Sequence, residues 1–246
     1  MKKIVYLLLL TVSAFVAGCD DDDDNIPVMY PEKTGTVTDT DGNVYKWVRF
    51  GGLDWLATNF RGGEPYYDVE DEEYWDVPDT PASAEEDYEI YGNLYSYDEA
   101  LENVNMLDGE GWRLPSDEDW RKLEEALGMS AVEASGRDWR GAPVGTLLQQ
   151  DSTGTNLNFL MGGWVAVTRI TSVCYELERM REYGYYWTAT TVESNYDAGR
   201  VAWCRTLRYN SPEICRVQIA VDDVLYSDAG TCPKKMSVRY VRDARD

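Results

Sequence analysis

The chain has 246 residues, with 45 Asp and Glu against 23 Lys and Arg, no His, and a formal net charge of −22. This charge excludes a binder of duplex nucleic acid, which needs a basic surface, and the missing His excludes Ser-His-Asp catalysis and His-ligated zinc. A hydrophobic fraction of 43% with 13% aromatic residues indicates a folded domain with a substantial core rather than a disordered chain.

Residues 1–18 have the organisation of an export signal. Two lysines precede an apolar run from Ile4 to Val16, which is shorter than the about 20 residues that a membrane-spanning helix needs. The run leads into Val16-Ala17-Gly18-Cys19, which resembles the cleavage and lipidation site of bacterial lipoproteins. We therefore predict a signal peptide at 1–18 and a lipid on Cys19. The alternative is an ordinary secretory signal with a chance cysteine.

A run of aspartates, Asp20 to Asp24, follows Cys19 directly. Because neighbouring like charges repel one another, we predict an extended, solvated tether at 19–35. An acidic cluster in this place also resembles the surface-export signal of Bacteroidetes lipoproteins. The expected location is the outer membrane, with the lipid as anchor and the domain exposed on the cell surface.

The first predicted elements of the folded part are the two strands of a hairpin over 37–50. Asp41-Gly42-Asn43 supplies its turn, and the next strand begins near Asp54. The segment from Asp39 to Asn43 also matches part of a calcium-binding loop. It lacks the downstream bidentate Glu, so a turn is favoured and no metal site is predicted.

Residues 68–89 are rich in Asp and Glu and contain no Lys or Arg, which indicates a surface insertion or long loop. Aromatic residues lie in or beside this insertion. They either pin the insertion to the body of the domain or form a platform for a ligand, since rings offer stacking area. On the second interpretation the candidate ligand-binding residues are Tyr66, Tyr67, Tyr74 and Trp75.

Two helices are predicted from their first turns. Ser96 and Glu99 form a capping box, and Ser116 caps a second helix. On the second helix, Asp117–Arg121 is predicted as an outward-facing ion pair, together with Glu118–Lys122. The buried stripe of that helix is predicted to consist of Trp120, Leu123 and Leu127.

After Gly141 the chain is again rich in strand-forming residues. An order of strands, two helices and further strands predicts an α+β domain with an antiparallel sheet. The later strands are predicted over 162–167, 185–190, 201–207, 216–221 and 237–241.

Four cysteines remain after Cys19, and an even number in an exported chain indicates disulfides. A turn over 209–212 separates Cys204 from Cys215, so a hairpin would bring these two together. We favour a Cys204–Cys215 bridge, which leaves Cys174 to pair with Cys232. The alternative is that they are free, buried thiols.

Several motifs in order resemble the Fibrobacter succinogenes major paralogous domain, over about residues 36–246. The most specific are residues 111–116, Gly-Trp-Arg-Leu-Pro-Ser, and residues 238–243, Val-Arg-Tyr-Val-Arg-Asp. Tyr240 stands where members of the family often carry Cys. The resemblance implies a C-type-lectin-like fold, in which two helices pack on a twisted antiparallel sheet with long loops.

The sequence therefore favours a lipid-anchored binding or adhesion module for a glycan or a surface protein, without enzyme activity and without a cofactor. The alternatives are a structural subunit of the envelope or of an appendage, and a glycoside hydrolase with two carboxylates. Lectins of this fold that bind sugar through calcium carry a Glu-Pro-Asn or Gln-Pro-Asp motif. This chain has Glu64-Pro65-Tyr66 instead, so calcium-dependent sugar binding is not expected. The net charge favours neutral or cationic ligands.

Overall fold

The computed structural model describes residues 26–64, 84–167, 175–193, 199–224 and 231–245. Within these ranges the chain forms an α+β fold, as predicted, with short helices packed on β-sheets. The finer assignment to a C-type-lectin-like fold stays a prediction.

The strands are numbered in chain order. They are β1 (Thr34–Thr38), β2 (Val44–Phe50), β3 (Leu53–Leu56), β4 (Asp138–Arg140), β5 (Gly162–Val167), β6 (Tyr175–Met180), β7 (Tyr183–Val192), β8 (Val201–Arg208), β9 (Ile214–Ala220), β10 (Asp222–Val224), β11 (Thr231–Pro233), β12 (Lys235–Met236) and β13 (Val241–Asp243). The helices are α1 (Ala84–Tyr91), α2 (Tyr97–Glu102), α3 (Asp117–Ala126), α4 (Ala131–Ala134) and α5 (Val144–Gln149), and a 3-10 turn at Asn103–Met106 continues α2.

Besides a two-stranded ribbon of β10 and β11, the described residues form a four-stranded and a seven-stranded sheet, which we call the smaller and the larger sheet. The smaller sheet has the order β1-β2-β3-β13, and all of its pairs are antiparallel. The predicted first hairpin is confirmed. Its turn is closed by the Asp39 carboxylate, which accepts hydrogen bonds from the backbone amides of Asp41 and Asn43 and from the Tyr45 hydroxyl. These donors occupy the Asp39 carboxylate, so the residues that resemble part of a calcium-binding loop form a hairpin turn, as predicted.

The larger sheet has the order β12-β5-β7-β8-β9-β4, with β6 paired to β5. A parallel contact joins β5 to β7 at Gly163 and Gly184, and the other pairs are antiparallel. The sheet is therefore mixed, whereas the sequence predicted an antiparallel one.

The predicted strand over 237–241 is wrong for most of its length. Between β12 and β13 the buried chain crosses from one sheet to the other. Ser237 donates its amide to the Tyr185 carbonyl of the larger sheet, and the amide of Leu56, the last residue of β3 in the smaller sheet, donates to the Tyr240 carbonyl. The crossing segment therefore makes backbone hydrogen bonds first to the larger sheet and then to the smaller one. A continuous strand within one sheet could not pair with both.

Helix α1 forms the end of the acidic insertion that was predicted as a loop. It contains no Gly or Pro, which would interrupt a helix. Gly92, at φ +75°, follows its last residue. This left-handed conformation favours glycine and ends the helix.

The capping box of α2 is confirmed at Ser96 and Glu99, and α3 begins with a second capping box at Ser116 and Asp119. The predicted buried stripe of α3 is also confirmed, because Trp120, Leu123 and Leu127 lie in the core. The Trp120 ring lies 5.2 Å from the Trp55 ring and 5.0 Å from the Phe159 ring. It also lies 5.9 Å from the Tyr186 ring of β7, so this aromatic centre joins α3 to the smaller sheet through β3 and to the larger sheet through β7.

Candidate functional site

One row of side chains crosses the larger sheet. Tyr185 of β7 pairs with Thr206 of β8. Thr206 pairs in turn with Cys215 of β9, which pairs with Trp139 of β4. Because directly paired residues point to the same face of a sheet, these four side chains share one face. Trp164 of β5 extends the row by stacking on Tyr185.

Four aromatic rings on this face form a continuous series of contacts. The centroids of Trp164 and Tyr185 are 4.9 Å apart with an interplanar angle of 19°, and those of Tyr185 and Tyr183 are 6.1 Å apart at 23°. Tyr183 then lies 6.4 Å from Trp139. All four rings are half-buried. We call Trp139, Tyr183, Tyr185 and Trp164 the aromatic row.

The alternation of β7 explains how the row is held in place. Successive side chains of a strand point to opposite faces, so Gly184 and Tyr186 face the hydrophobic cluster around Trp120. Tyr183 and Tyr185 lie on the opposite face, where Tyr185 also packs against the edge of a second hydrophobic cluster. The Tyr186 ring packs 5.9 Å from Trp120 and 5.1 Å from Phe159. The row therefore stands on a strand that is fixed from behind by close packing, as a binding surface requires.

Polar groups border the row. At one end the Trp164 indole donates a hydrogen bond to the Glu178 carboxylate, 3.2 Å away. In the middle, the Arg179 guanidinium lies 5.8 Å from the Tyr183 ring and pairs with Glu182 at 3.1 Å. Burial raises the pKa of Tyr185, so its hydroxyl stays protonated and can both donate and accept.

Arg208 borders the opposite end of the row. Its guanidinium lies 5.4 Å from the centre of the Trp139 ring, and its side chain is exposed. The row thus has a carboxylate at the Trp164 end and a guanidinium at the Trp139 end.

A cluster of buried ion pairs lies on the other face of the larger sheet, against α3. Asp117 accepts hydrogen bonds from Arg205 at 2.8 Å and from Arg216 at 2.8 Å. Glu124 is bound by Arg205 at 2.6 Å and by Arg140 at 2.7 Å. All five side chains are buried, and we call these residues the ion cluster.

The ion cluster corrects the predicted outward pair of Asp117 and Arg121. The two residues do form an ion pair, at 3.9 Å, but Asp117 faces the sheet rather than solvent, and Arg121 makes its hydrogen bond to Glu118. Although burial alone would raise the pKa of Asp117, hydrogen bonds from Arg216 and Arg205 outweigh it and hold the pKa at about 2. A carboxylate occupied by two arginines serves to dock α3 rather than to transfer protons.

Arg239, from the C-terminal motif, is buried without a carboxylate partner among the described residues. Its guanidinium donates to the Asn59 side chain at 2.7 Å and to the carbonyls of Leu56 and Leu157, both at 2.8 Å. Burial lowers its pKa to about 10, so Arg239 remains charged at neutral pH. It ties three distant segments of the chain together, which gives the motif a structural role.

The predicted Cys204–Cys215 disulfide is wrong. The hairpin of β8 and β9 exists, but Cys204 pairs with Val217 and Cys215 pairs with Thr206. The two cysteines are therefore offset diagonally, about 7–8 Å apart in such a ladder, which is beyond the usual reach of a disulfide. Both are free, buried thiols, as the alternative interpretation held.

Other predicted site residues lie outside the described residues, so those predictions stay open. They are Cys19, Tyr66, Tyr67, Tyr74, Trp75 and Cys174, together with the aspartate run; of Cys232 the backbone alone is described. Within the described ranges no cluster of acidic residues and cysteines is arranged to hold a metal ion.

Sequence reasoning missed the aromatic row. The alternation of Tyr183 and Tyr185 was a usable signal, because it puts two rings on one face, but the predicted strand began at residue 185 and left Tyr183 out. Trp139 and Trp164 carried no comparable signal, because they join the row only through the order and register of the larger sheet. The composition shows that the chain is rich in aromatic residues, but it does not distinguish rings on the surface from rings in the core.

In the described part of the chain, no helix is long and apolar enough to span a bilayer. A comparison with family models matches residues 48–242 to the Fibrobacter succinogenes major domain. Comparisons with the curated proteins and with the solved structures found no significant match.

Proposed function

We propose that this chain, which belongs to the Fibrobacter succinogenes major domain family, is a surface-displayed glycan-binding module whose aromatic row contacts the sugar. The observation that carries this proposal is the series of four half-buried rings, from β4, β5 and β7, in contact along one face of the larger sheet. Rings that complete a core become fully buried, as Trp120 and Tyr186 do, whereas rings that bind a ligand stay partly exposed.

The chemistry of the row suits a saccharide. One side of a pyranose ring carries mostly C–H groups and packs on aromatic surface, while its hydroxyls need hydrogen-bond partners. The Glu178 carboxylate and the Tyr185 hydroxyl supply such partners beside the rings. The row combines extended apolar contact with a few polar groups, which is the usual composition of a small-molecule site.

The carboxylates support binding rather than hydrolysis. A glycoside hydrolase needs a carboxylic acid whose pKa is raised, so that it can donate a proton. In the described part, Asp117 has a lowered pKa and Glu182 is paired with Arg179. We therefore propose a module without enzyme activity.

The proposed display on the outer membrane depends on Cys19 and on the aspartate run that follows it. Cells grown with labelled palmitate should label the wild-type chain and leave the Cys19→Ala variant unlabelled. Protease added to intact cells should remove the domain, and replacing the five aspartates by alanine should protect it. Equal labelling of both chains would exclude a lipid anchor on Cys19. If the protease cleaves the alanine variant as readily as the wild type, the aspartates act as a spacer and not as an export signal.

A glycan array probed with the purified full-length chain tests the proposed function. We expect binding to a restricted set of glycans and a loss of about tenfold or more for Trp139→Ala, the range of an important interface residue. The matched control is Tyr30→Ala, which removes a ring that is 67% exposed and lies outside the row. No binding to any glycan, or equal losses in both variants, would contradict the proposal.

A further inference from the structure

Arg208 is placed to contact a ligand of the aromatic row. It is the last residue of β8 and pairs with Tyr183 across the ladder. Its exposed guanidinium lies 5.4 Å from the centre of the Trp139 ring. A guanidinium that lies over a ring keeps its N–H edges available for a second partner. Arg208 therefore presents hydrogen-bond donors beside two rings of the row.

The charge of Arg208 is not neutralised by a neighbouring acid in the described part of the chain. Two other exposed arginines that lie over rings have such acids: Arg179 pairs with Glu182 at 3.1 Å, and Arg200 pairs with Asp98 at 2.6 Å. Arg137, 5.0 Å from the Trp203 ring, has no acidic partner among the described residues either, but Trp203 alternates with Cys204 and therefore points to the opposite face of β8 from Arg208. For Arg208 the ring of Trp139 is the side-chain partner within the described residues. In a chain with a net charge of −22, an unneutralised guanidinium on a binding face favours an anion.

We infer that the aromatic row takes an acidic glycan and that Arg208 binds a sugar carboxylate at the Trp139 end; this inference rests on the proposed function. Arginine suits this task because its planar fork matches a carboxylate with two parallel hydrogen bonds. A uronic acid supplies both a carboxylate and a C–H face on one ring. Arg208 is thus a specificity-determining residue of the proposed site.

The acidic character of the whole chain does not prevent this contact. Charges in solvent are screened beyond about 8 Å at physiological ionic strength, so groups near the site decide the local preference. Glu178 lies beside Trp164 at the other end of the row, and Arg179 is neutralised by Glu182. A carboxylate is therefore repelled from the Glu178 end and attracted to the Arg208 end, which fixes the direction of the bound chain.

The test uses matched pairs of oligosaccharides on one array: hyaluronan and polygalacturonate fragments, each beside its carboxyl-reduced form, with neutral glucans included. The proteins are the full-length wild type, Arg208→Gln and Arg200→Gln. Arg200 is the matched control, because its guanidinium also lies over a ring, that of Tyr97 at 5.7 Å, but is paired with Asp98.

We expect the wild type to prefer the carboxylated member of a pair by about tenfold or more, as a charged hydrogen bond provides. That ratio should fall by about tenfold in Arg208→Gln and stay unchanged in Arg200→Gln. Equal or tighter binding of the carboxyl-reduced form, or an unchanged ratio in Arg208→Gln, overturns the inference. Binding to neutral glucans alone overturns the inference but leaves the proposed function standing, whereas no binding to any glycan overturns both.

Discussion

Tyr185 and Tyr186 are neighbours in the chain but belong to opposite sides of the larger sheet. Tyr186 is fully buried against Trp120 and Phe159, and its hydroxyl is satisfied by Asn59 and by the Leu160 carbonyl. Tyr185 is half-buried and stacks on Trp164. The same residue type thus completes a core on one face and forms part of the proposed binding surface on the other.

The polar groups on the two faces differ in the same way. On the α3 face, Asp117 and Glu124 are each bound by two arginines. On the face of the aromatic row, Arg208 has no acidic partner among the described residues, and Glu178 accepts one indole N–H. The two carboxylates on the α3 face are held by arginines, although the Nη2 of Arg205 is buried without a hydrogen-bond partner. Exposed groups with hydrogen-bond capacity left over, such as the Arg208 guanidinium, can instead contact a ligand.

The largest effect is expected on the α3 face. Trp120→Ala should lower the free energy of unfolding by about 3–5 kcal/mol, because it empties a core site that the rings of Trp55, Phe159 and Tyr186 surround. Urea melts of the two proteins measure the difference. A loss of less than about 1 kcal/mol would mean that Trp120 is not a core residue.

The ion cluster should make stability depend on acid pH. The pKa of Asp117 in the folded chain, about 2, lies below its ordinary value of 3.8, so its carboxylate stabilises the fold above pH 3.8 and this contribution is lost as the pH falls toward about 2. The loss should be about 2 kcal/mol of unfolding free energy. A carboxyl carbon NMR titration of Asp117 checks the cause. A midpoint at or above the ordinary value would contradict the packing of the cluster.

Removing the hydroxyl group of Tyr186 or of Tyr185 should change the free energy of unfolding least. The two variants compare the two faces of β7 directly, because the residues are neighbours in the chain. Tyr186→Phe removes a buried donor and leaves the Leu160 carbonyl with one bond fewer, so it should cost about 1 kcal/mol. Tyr185→Phe should change stability by no more than about 0.5 kcal/mol. Equal losses of unfolding free energy for the two variants in urea melts would show that Tyr185 is as tightly held in the fold as Tyr186.

The sequence predicted those features that local chemistry decides. The caps at Ser96 and Ser116, the buried stripe of α3 and the first hairpin all depend on residues within one or two turns of one another. The offset of Cys204 from Cys215 and the inward direction of Asp117 depend on strand register and on long-range partners. The aromatic row depends on the order of the strands across the larger sheet, which no short segment encodes.

The indole N–H resonances of the nine tryptophans test directly whether the ligand lies on the aromatic row. The measurement is a titration of the full-length chain with the glycan that binds most tightly on the array, with peaks assigned by single Trp→Phe variants. We expect the signals of Trp139 and Trp164 to move while those of the buried Trp55, Trp120 and Trp187 stay in place. Movement of the Trp75 signal, with Trp139 and Trp164 unchanged, would exclude the aromatic row and place the ligand on the acidic insertion.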